Sequence, residues 1–416
     1  MKNIWFTLSK DVYVSFNSMT ETLRTTSLLY HTKTGKLFLT NNPHHIHLIN
    51  EIYNPVNLGV VDMETYRYVN EDVVDFIDKT TQLGIGKILE KTTGSKPLNF
   101  LPILCLQNDI ERLQQTNQEY LIGDKISCYL TSVTIVINNQ CERQCNNCNI
   151  AYRQVFSCSK FYEGSIMPLE TIKEIIVQSS HLNVKRVNII GGDILSYPQW
   201  NNLIDFLKEY DFSYHLWINV SQIQNIENLL QLPFHKEINI TFPFNESVLF
   251  ELLRSTKSRN DFSYNFIIEN MSHYESVNDI VNDFNISDYK ILPLYNGENM
   301  RFFEENVFLG EEDILSGIIE MREIFCNQKL NSNFFGALIF LPDGTVNANM
   351  NQATIGKFPD ESMLQLIYTE LVRNTAWRKI RSGDKCSKCI YRFLCPPVSN
   401  YEMVTGKEDL CTFTVM

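Results

Sequence analysis

The sequence predicts an α/β protein built in three parts: an N-terminal unit with a winged-helix layout, a central array of βα units, and a cysteine-rich tail. Three observations predict it. Before Gly94, short alternating strands precede short helical patterns. From Thr131 onward, six strand-like runs alternate with amphipathic helices. After Ser382 the chain is loop-rich and holds four cysteines. A chain of 416 residues is long enough for two or three domains, and its 44% of apolar residues excludes global disorder.

In the N-terminal unit, residues 11–16 and 28–40 alternate in strand fashion, and Thr34-Gly35 marks a hairpin within the second run. Helical patterns follow over 43–53, with Ile46, Leu48, Ile49 and Ile52, and over 70–83, with Val73, Val74, Phe76 and Ile77. Residues 87–90 read as one further helical turn. Strands followed by three short helices make the winged-helix layout. The segment 94–97 (Gly-Ser-Lys-Pro) reads as a linker. The domains expected are therefore 1–93, 94–310 and 311–416.

The central strands are expected at 132–137, 185–190, 214–220, 237–242, 264–268 and 289–292. The helices between them are expected at 169–177, 200–210, 223–230, 246–255 and 275–284. Leu169, Ile172 and Ile176 keep one apolar face, as do Leu203, Phe206 and Leu207. Such units form parallel sheets, either an open doubly wound sheet or a partial (β/α)6 barrel. In both, ligands bind at the carboxyl ends of the strands. Beyond them, 334–346 reads as a hairpin turning at Asp343-Gly344.

Charge and cysteine usage narrow the function classes. There are 36 Lys and Arg against 48 Asp and Glu, a net charge of −12. Sequence-independent nucleic-acid binding rests on basic residues neutralising phosphates, so no nucleic-acid partner is expected. No apolar window is long enough to span a membrane, and the first residues do not read as a secretory signal. A reducing, cytoplasmic setting is expected. There, clustered cysteines read as metal ligands before they read as disulfides.

Seven of the eleven cysteines fall in two groups. Cys141, Cys145 and Cys148 follow the first βα strand directly, spaced C-x3-C-x2-C. Three thiolates so close together can converge on one soft metal centre. A structural site wants four ligands, whereas three leave a position open for substrate or cofactor. Zinc completed by a ligand from elsewhere in the chain is the other reading of this spacing. Cys386, Cys389, Cys395 and Cys411 form the second group, and four thiolates suit a closed zinc site or a fully ligated cluster equally well.

The first motif, placed after the first strand of a six-fold βα array, resembles the signature of radical S-adenosylmethionine (SAM) enzymes. The resemblance implies a partial TIM-like barrel. It implies a [4Fe–4S] cluster held by Cys141, Cys145 and Cys148, with SAM bound to the open iron. An electron from the cluster would cleave SAM and yield a 5′-deoxyadenosyl radical that abstracts hydrogen from substrate. Asn147 departs from the family, which usually has an aromatic residue there. Gly191, Gly192 and Asp193 end the second strand and resemble the family's Gly-Gly-Glu motif at the SAM amino group, with Asp193 in place of Glu and Ile194 where proline is common. Asn219 and Ser221 after the third strand and Thr241 near the end of the fourth are further SAM-contact candidates. Each of the three reads equally well as a cap or loop residue.

The second group resembles the SPASM extension of radical SAM peptide-modifying enzymes, which implies an auxiliary [4Fe–4S] cluster on Cys386, Cys389, Cys395 and Cys411. The fuller pattern breaks at Ser399 and Asn349, where further cysteines are expected, so one auxiliary cluster is predicted. Cys326 is a remnant ligand candidate. Of the cysteines outside the two groups, Cys105, Cys128, Cys158 and Cys326 are by default small buried hydrophobes. Cys158 is the nearest of them in sequence to the cluster loop and the one placed to act on substrate.

Such enzymes often modify ribosomally made peptides, and residues 1–93 resemble their RiPP recognition element. That implies a leader peptide added as a strand at 37–40 and docked against the helix at 70–83. A structural cap or a DNA-binding winged helix are the other readings of this unit; Glu71-Asp72 and the missing basic stripe weigh against DNA. The expected function is radical SAM modification of a precursor peptide by cross-linking, thioether formation or epimerisation. A reductant such as ferredoxin or flavodoxin would supply the electron. A protein-modifying, sulfatase-maturase-like enzyme and a non-catalytic iron–sulfur peptide-binding partner are the rivals.

Overall fold

The strand order of the main sheet decides between the two α/β architectures. The computed structural model describes residues 3–18, 24–91, 95–101, 123–143, 145, 147–158 and 165–412. Within them, β7 (Ser132–Asn138), β8 (Arg186–Gly191), β9 (Ser213–Asn219), β10 (His235–Thr241), β11 (Phe262–Ile268) and β12 (Tyr289–Pro293) lie side by side in chain order, every pairing parallel. A doubly wound sheet reverses its order at a switch point; this one does not, so that alternative is excluded. Right-handed crossovers in unbroken order put every helix on the same face. Among the described residues, no strand pairs with the outer edge of β12. At the other end, β13 (Ala337–Phe340) adds parallel to β7, and β14 (Thr345–Asn347) and β15 (Gly356–Lys357) follow antiparallel. The predicted turn joins β13 to β14, with Gly344 at φ +84°.

Alternation along these strands sorts the two faces. Ile135, Ile189, Leu216, Ile238 and Phe266 are fully buried against the helices Leu169–Ser180, Trp200–Leu207, Glu246–Thr256 and Met271–Phe284. Their neighbours in sequence, Thr134, Asn188, His215, Glu237, Asn239 and Asn265, point to the opposite, concave face. That face mixes these polar residues with Val136, Ile190, Trp217 and Ile267, and its polar members are why the strands read as alternating rather than as continuous apolar runs.

At its amino end the concave face holds an ionic network. Glu237 accepts from Arg186 at 2.9 Å, from His215 at 3.0 Å and from Asn265 at 3.0 Å. Burial pushes its carboxyl up, but the His215 and Asn265 bonds and the charges of Lys290 and Arg186 outweigh it and hold the pKa at about 2.

The N-terminal unit has two sheets rather than one. β2 (Val12–Ser18), β3 (Arg24–His31) and β4 (Leu37–Thr40) form one, with the predicted hairpin at Gly35. β1 (Ile4–Leu8) is flanked by β5 (Val60–Asp62) and β6 (Gly86–Glu90) in the other. The expected helical turn at 87–90 is therefore a strand. Four residues are too few to stabilise a helix alone, and pairing with β1 supplies their backbone partners. Two helices, α1 (Pro43–Tyr53) and α2 (Glu71–Gln82), pack through Leu48, Ile49, Phe76 and Ile77 on Phe6 and Leu29. Gly94, the first residue of the expected linker, lies outside the described residues. Asn99, just beyond it, is tied to the N-terminal unit by bonds to Thr7 and Leu8 at 2.7 Å.

Tyr13, Leu28 and Tyr30 pack on Ile319, Ile324, Tyr391 and Cys395, so the N-terminal sheet rests on the cysteine-rich tail. The Tyr30 hydroxyl accepts from Ile319 N at 2.8 Å. Among the described residues, no helix is long and apolar enough to cross a membrane.

The Glu237 network contributes stability that is complete above the ordinary carboxyl value of 4.5 and is lost as pH falls from there through about 2. We expect up to about 3 kcal/mol to be lost over that window in wild type. In Glu237→Gln the acid limb of stability, measured by urea denaturation against pH, should flatten by a comparable amount.

Candidate functional site

β7 delivers the three-cysteine segment to the carboxyl edge of the sheet, and the end of β8 secures it there. Gly192 N donates to Asn138 O at 2.9 Å, Asp193 N to Gln140 O at 2.6 Å, and Asn138 Nδ2 to Asp193 O at 2.8 Å. The glycines are required by this approach. A Cβ on Gly192 would stand 2.2 Å from Gln140 O, and one on Gly191 would stand 2.7 Å from Asn138 O. The Gly-Gly pair thus lets β8 brace the residues leading into Cys141.

Gln222, in the turn after β9, ties these parts together. Its amide donates to Gly192 O at 2.6 Å and lies 3.9 Å from Cys141 Sγ.

Behind the cysteines is a cavity of about 300 Å³. Cys145 and Cys148 line it, with Asn219, Ser221 and Thr241 from the strand ends and with Cys158, Glu269 and Ile267. Five predicted SAM-contact and cluster positions on three separate strands or loops therefore meet in one place. Asn219 also caps the turn that follows it, accepting from Ser221 N at 2.9 Å, and it donates to Thr241 Oγ1 at 3.2 Å. Asn219 is therefore a cap residue that also lines the cavity.

Burial pushes the Cys145 thiol up, and the Cys148 and Cys141 sulfurs push the same way. Burial raises Cys158 further, above the ordinary thiol range, with the same three sulfurs adding to it. Thiols held up in this way release protons when they bind a metal, so loading of the site is favoured as pH rises.

Asp193 is placed differently. Its carboxylate caps Leu195 N at 3.1 Å and lines a separate groove with Trp200, Lys208 and Asn225, outside the cysteine cavity. Burial raises its carboxyl pKa.

Asn147 occupies the left-handed region at φ +58°, where asparagine is tolerated better than a bulky aromatic. Its amide donates to Glu269 Oε1 at 2.9 Å, while Asn296 donates to Oε2 at 2.7 Å. Glu269 is the residue that sequence reasoning missed. It immediately follows β11, and the strand-end rule applied to β8, β9 and β10 finds it once carried one strand further.

The second group lies in the tail around the short helix Asp384–Ser387. Cys386 and Cys395 are buried; Cys389 and Cys411 are half-buried. Burial pushes Cys395 up to about 12, opposed by the Arg381 guanidinium. Arg381 is itself buried, in an ion pair with Glu402 at 2.9 Å. Lys385 bonds Asp409 at 2.7 Å beside Cys411.

The two positions that break the fuller pattern are in use. Ser399 caps the helix Asn400–Thr405, accepting from Tyr401 N at 3.2 Å, and Asn349 donates to Asn400 at 2.7 Å. Asn351 continues this network to Arg153 O at 2.6 Å, just beyond the cysteine segment. Cys326 is half-buried, and its neighbour Asn327 donates to Phe393 O at 3.0 Å. Cys128 is exposed, contrary to the default expectation, because the last turn of Gly123–Tyr129 turns it to solvent. Cys105 lies outside the described residues.

No protein-family model and no curated protein matches the chain. Among solved structures, it is similar to Streptococcus suis SuiB bound to precursor peptide SuiA, at 12% identity and a TM-score of 0.47 over 99% of each chain. SuiB bound to S-adenosylmethionine aligns at 12% identity with a TM-score of 0.42, again over 99% of each chain. A third SuiB structure aligns at 11% identity and a TM-score of 0.43, over 98% of this chain and 99% of its own.

Gly192→Ala should cost about 1–3 kcal/mol, because backbone must move to admit the methyl group. Gly317→Ala, whose Cβ meets open space, should stay within about 0.5 kcal/mol of wild type. Denaturant midpoints of the two variants check the difference.

Proposed function

We propose that this chain is a radical SAM enzyme that modifies a ribosomally synthesised precursor peptide. The observation that carries the reading is the cavity at the carboxyl ends of the strands, where Cys145 and Cys148 meet Asn219, Ser221 and Thr241. The donor set suits an iron–sulfur cluster: every ligand is a soft thiolate, and three of them leave one position open for SAM.

In this reading Cys141, Cys145 and Cys148 hold a [4Fe–4S] cluster, and the 300 Å³ cavity takes SAM. When bound, the pair supplies a hydrogen-abstracting radical through reductive cleavage of the sulfonium, given one electron from ferredoxin or flavodoxin. The chain's residues position and shield. Asn219 and Thr241 present hydroxyl and amide groups to the polar part of SAM, Ile267 offers an apolar wall, and the Gly191-Gly192 brace keeps the cysteine segment in place. Glu269 keeps a carboxylate in the cavity, oriented by Asn147 and Asn296. Cys386, Cys389, Cys395 and Cys411 hold one auxiliary [4Fe–4S] cluster, whose four thiolates face the cationic Arg381 and Lys385.

The peptide enters through residues 1–93, which act as the recognition domain ahead of the sheet (94–310) and the tail (311–416). Among the described residues β4 pairs only with β3, and its other edge is the one offered to an added strand. Phe38 on β4 and Phe76 on α2 have ring centroids 5.4 Å apart, which places that edge beside the helix a docked leader would also touch. A carbon–carbon cross-link, a thioether or an epimerised centre is the product class.

Anaerobically reconstituted wild type, reduced in the presence of SAM and the precursor peptide, should form 5′-deoxyadenosine. Cys148→Ala should form less than about one hundredth as much, a loss of at least about 2.7 kcal/mol of transition-state stabilisation. Wild-type protein carrying its full iron and sulfide but releasing no 5′-deoxyadenosine with peptide present would instead mark a non-catalytic binding partner.

A further inference from the structure

At the amino end of the sheet, away from the cysteine cavity, the concave face carries side chains that the proposed reaction does not use. His215 and His235 are register partners on β9 and β10, and Glu237 follows two residues on, on the same face of β10. The two rings are 4.7 Å apart. One ligand atom from each of the three residues lies within 4.8 Å of the other two.

The surrounding bonds aim these donors. His215 Nε2 meets Ser213 Oγ at 3.0 Å, and His235 Nε2 meets Ser263 Oγ at 2.8 Å. The Ser263 hydroxyl donates to Asp288 Oδ2 at 2.5 Å. With each Nε2 engaged by a hydroxyl, each Nδ1 is the nitrogen for a shared centre, His215 releasing on metal binding the proton it donates to Glu237. His215 Nδ1 already lies 3.0 Å from Glu237 Oε1, and Asn265 braces Glu237 Oε2 at 3.0 Å. Two imidazoles and one carboxylate, each braced by an outer partner, are the donor set of a first-row divalent ion of intermediate softness, and a poor one for Mg²⁺ or Ca²⁺.

A cation already sits against the carboxylate. Arg186 Nη2 is 2.9 Å from Glu237 Oε1, and the Arg186 side chain is 38% exposed, so it can withdraw to solvent. We propose that His215, His235 and Glu237 form a site for a divalent transition-metal ion such as Zn²⁺, with Arg186 as the cation it displaces. Six residue steps along β10 lead from His235 to Thr241 in the cysteine cavity, about 20 Å of strand. The ion is therefore not part of the radical chemistry. It ties β9 to β10 and, through Ser263 and Asp288, to β11 and the start of β12.

The test uses cluster-reconstituted full-length protein dialysed against Zn²⁺, with zinc, iron and sulfide counted per chain. Wild type should take up one zinc with its iron unchanged, and X-ray absorption at the zinc edge should show nitrogen and oxygen ligands near 2.0 Å without sulfur. His215→Ala/His235→Ala should take up none. Arg186→Ala should reach half-saturation at about tenfold lower free zinc, since the competing charge is gone. Zinc bound through sulfur, no zinc in wild type, or equal uptake by the double variant would overturn the proposal. If the double variant fails to fold, as lost iron would reveal, the wild-type absorption spectrum and Arg186→Ala still decide.

Discussion

Everything in this molecule depends on six parallel strands laid down in unbroken chain order. Because each crossover is right-handed, every helix falls on one face, and the apolar half of each strand is spent there. Ile189, Leu216, Ile238 and Phe266 bury against helices, while Asn188, His215, Asn239 and Asn265 look the other way. A sheet with its helices on one side is left with a concave face where buried polar residues stand among Val136, Ile190 and Trp217, and with a set of strand ends that open together. The candidate site is made of those ends.

The cysteine segment gains its placement from backbone contact rather than from side-chain packing. The approach of Gly192 to Gln140 leaves no room for a Cβ, and the bonds that result run from β8 into the residues just before Cys141. Gln222 adds a third element by reaching both Gly192 and Cys141. On the far side, asparagines 349, 351 and 400 link the tail to the loop after Cys148. The segment is held from both sides.

The six central strands, the α/β class and both cysteine groups were legible in the sequence, because period-two alternation and clustered thiols are local signals. Gly191-Gly192 was also visible, but the approach of two backbones that the glycines permit is one that no single segment reveals. Asp193 was read as a partner for the SAM amino group; its carboxylate caps Leu195 and lines a groove separate from the cysteine cavity. The strand at 86–90 was read as a helical turn because its partner, β1, lies some eighty residues earlier. Asn147 looked like a loss relative to an aromatic residue; in three dimensions it serves a left-handed turn and orients Glu269. The parallel addition of β13 to β7 joins residues two hundred positions apart and left no mark in either segment.

The central claim is that Cys141, Cys145 and Cys148 hold an incompletely ligated cluster to which SAM coordinates. Its most direct test is electron paramagnetic resonance of the reduced cluster in Cys386→Ala/Cys389→Ala/Cys395→Ala, where the tail contributes no signal. The account predicts a reduced [4Fe–4S] spectrum whose g values move when SAM is added. A spectrum indifferent to SAM, or a protein that binds zinc at these three cysteines and no iron, would contradict it.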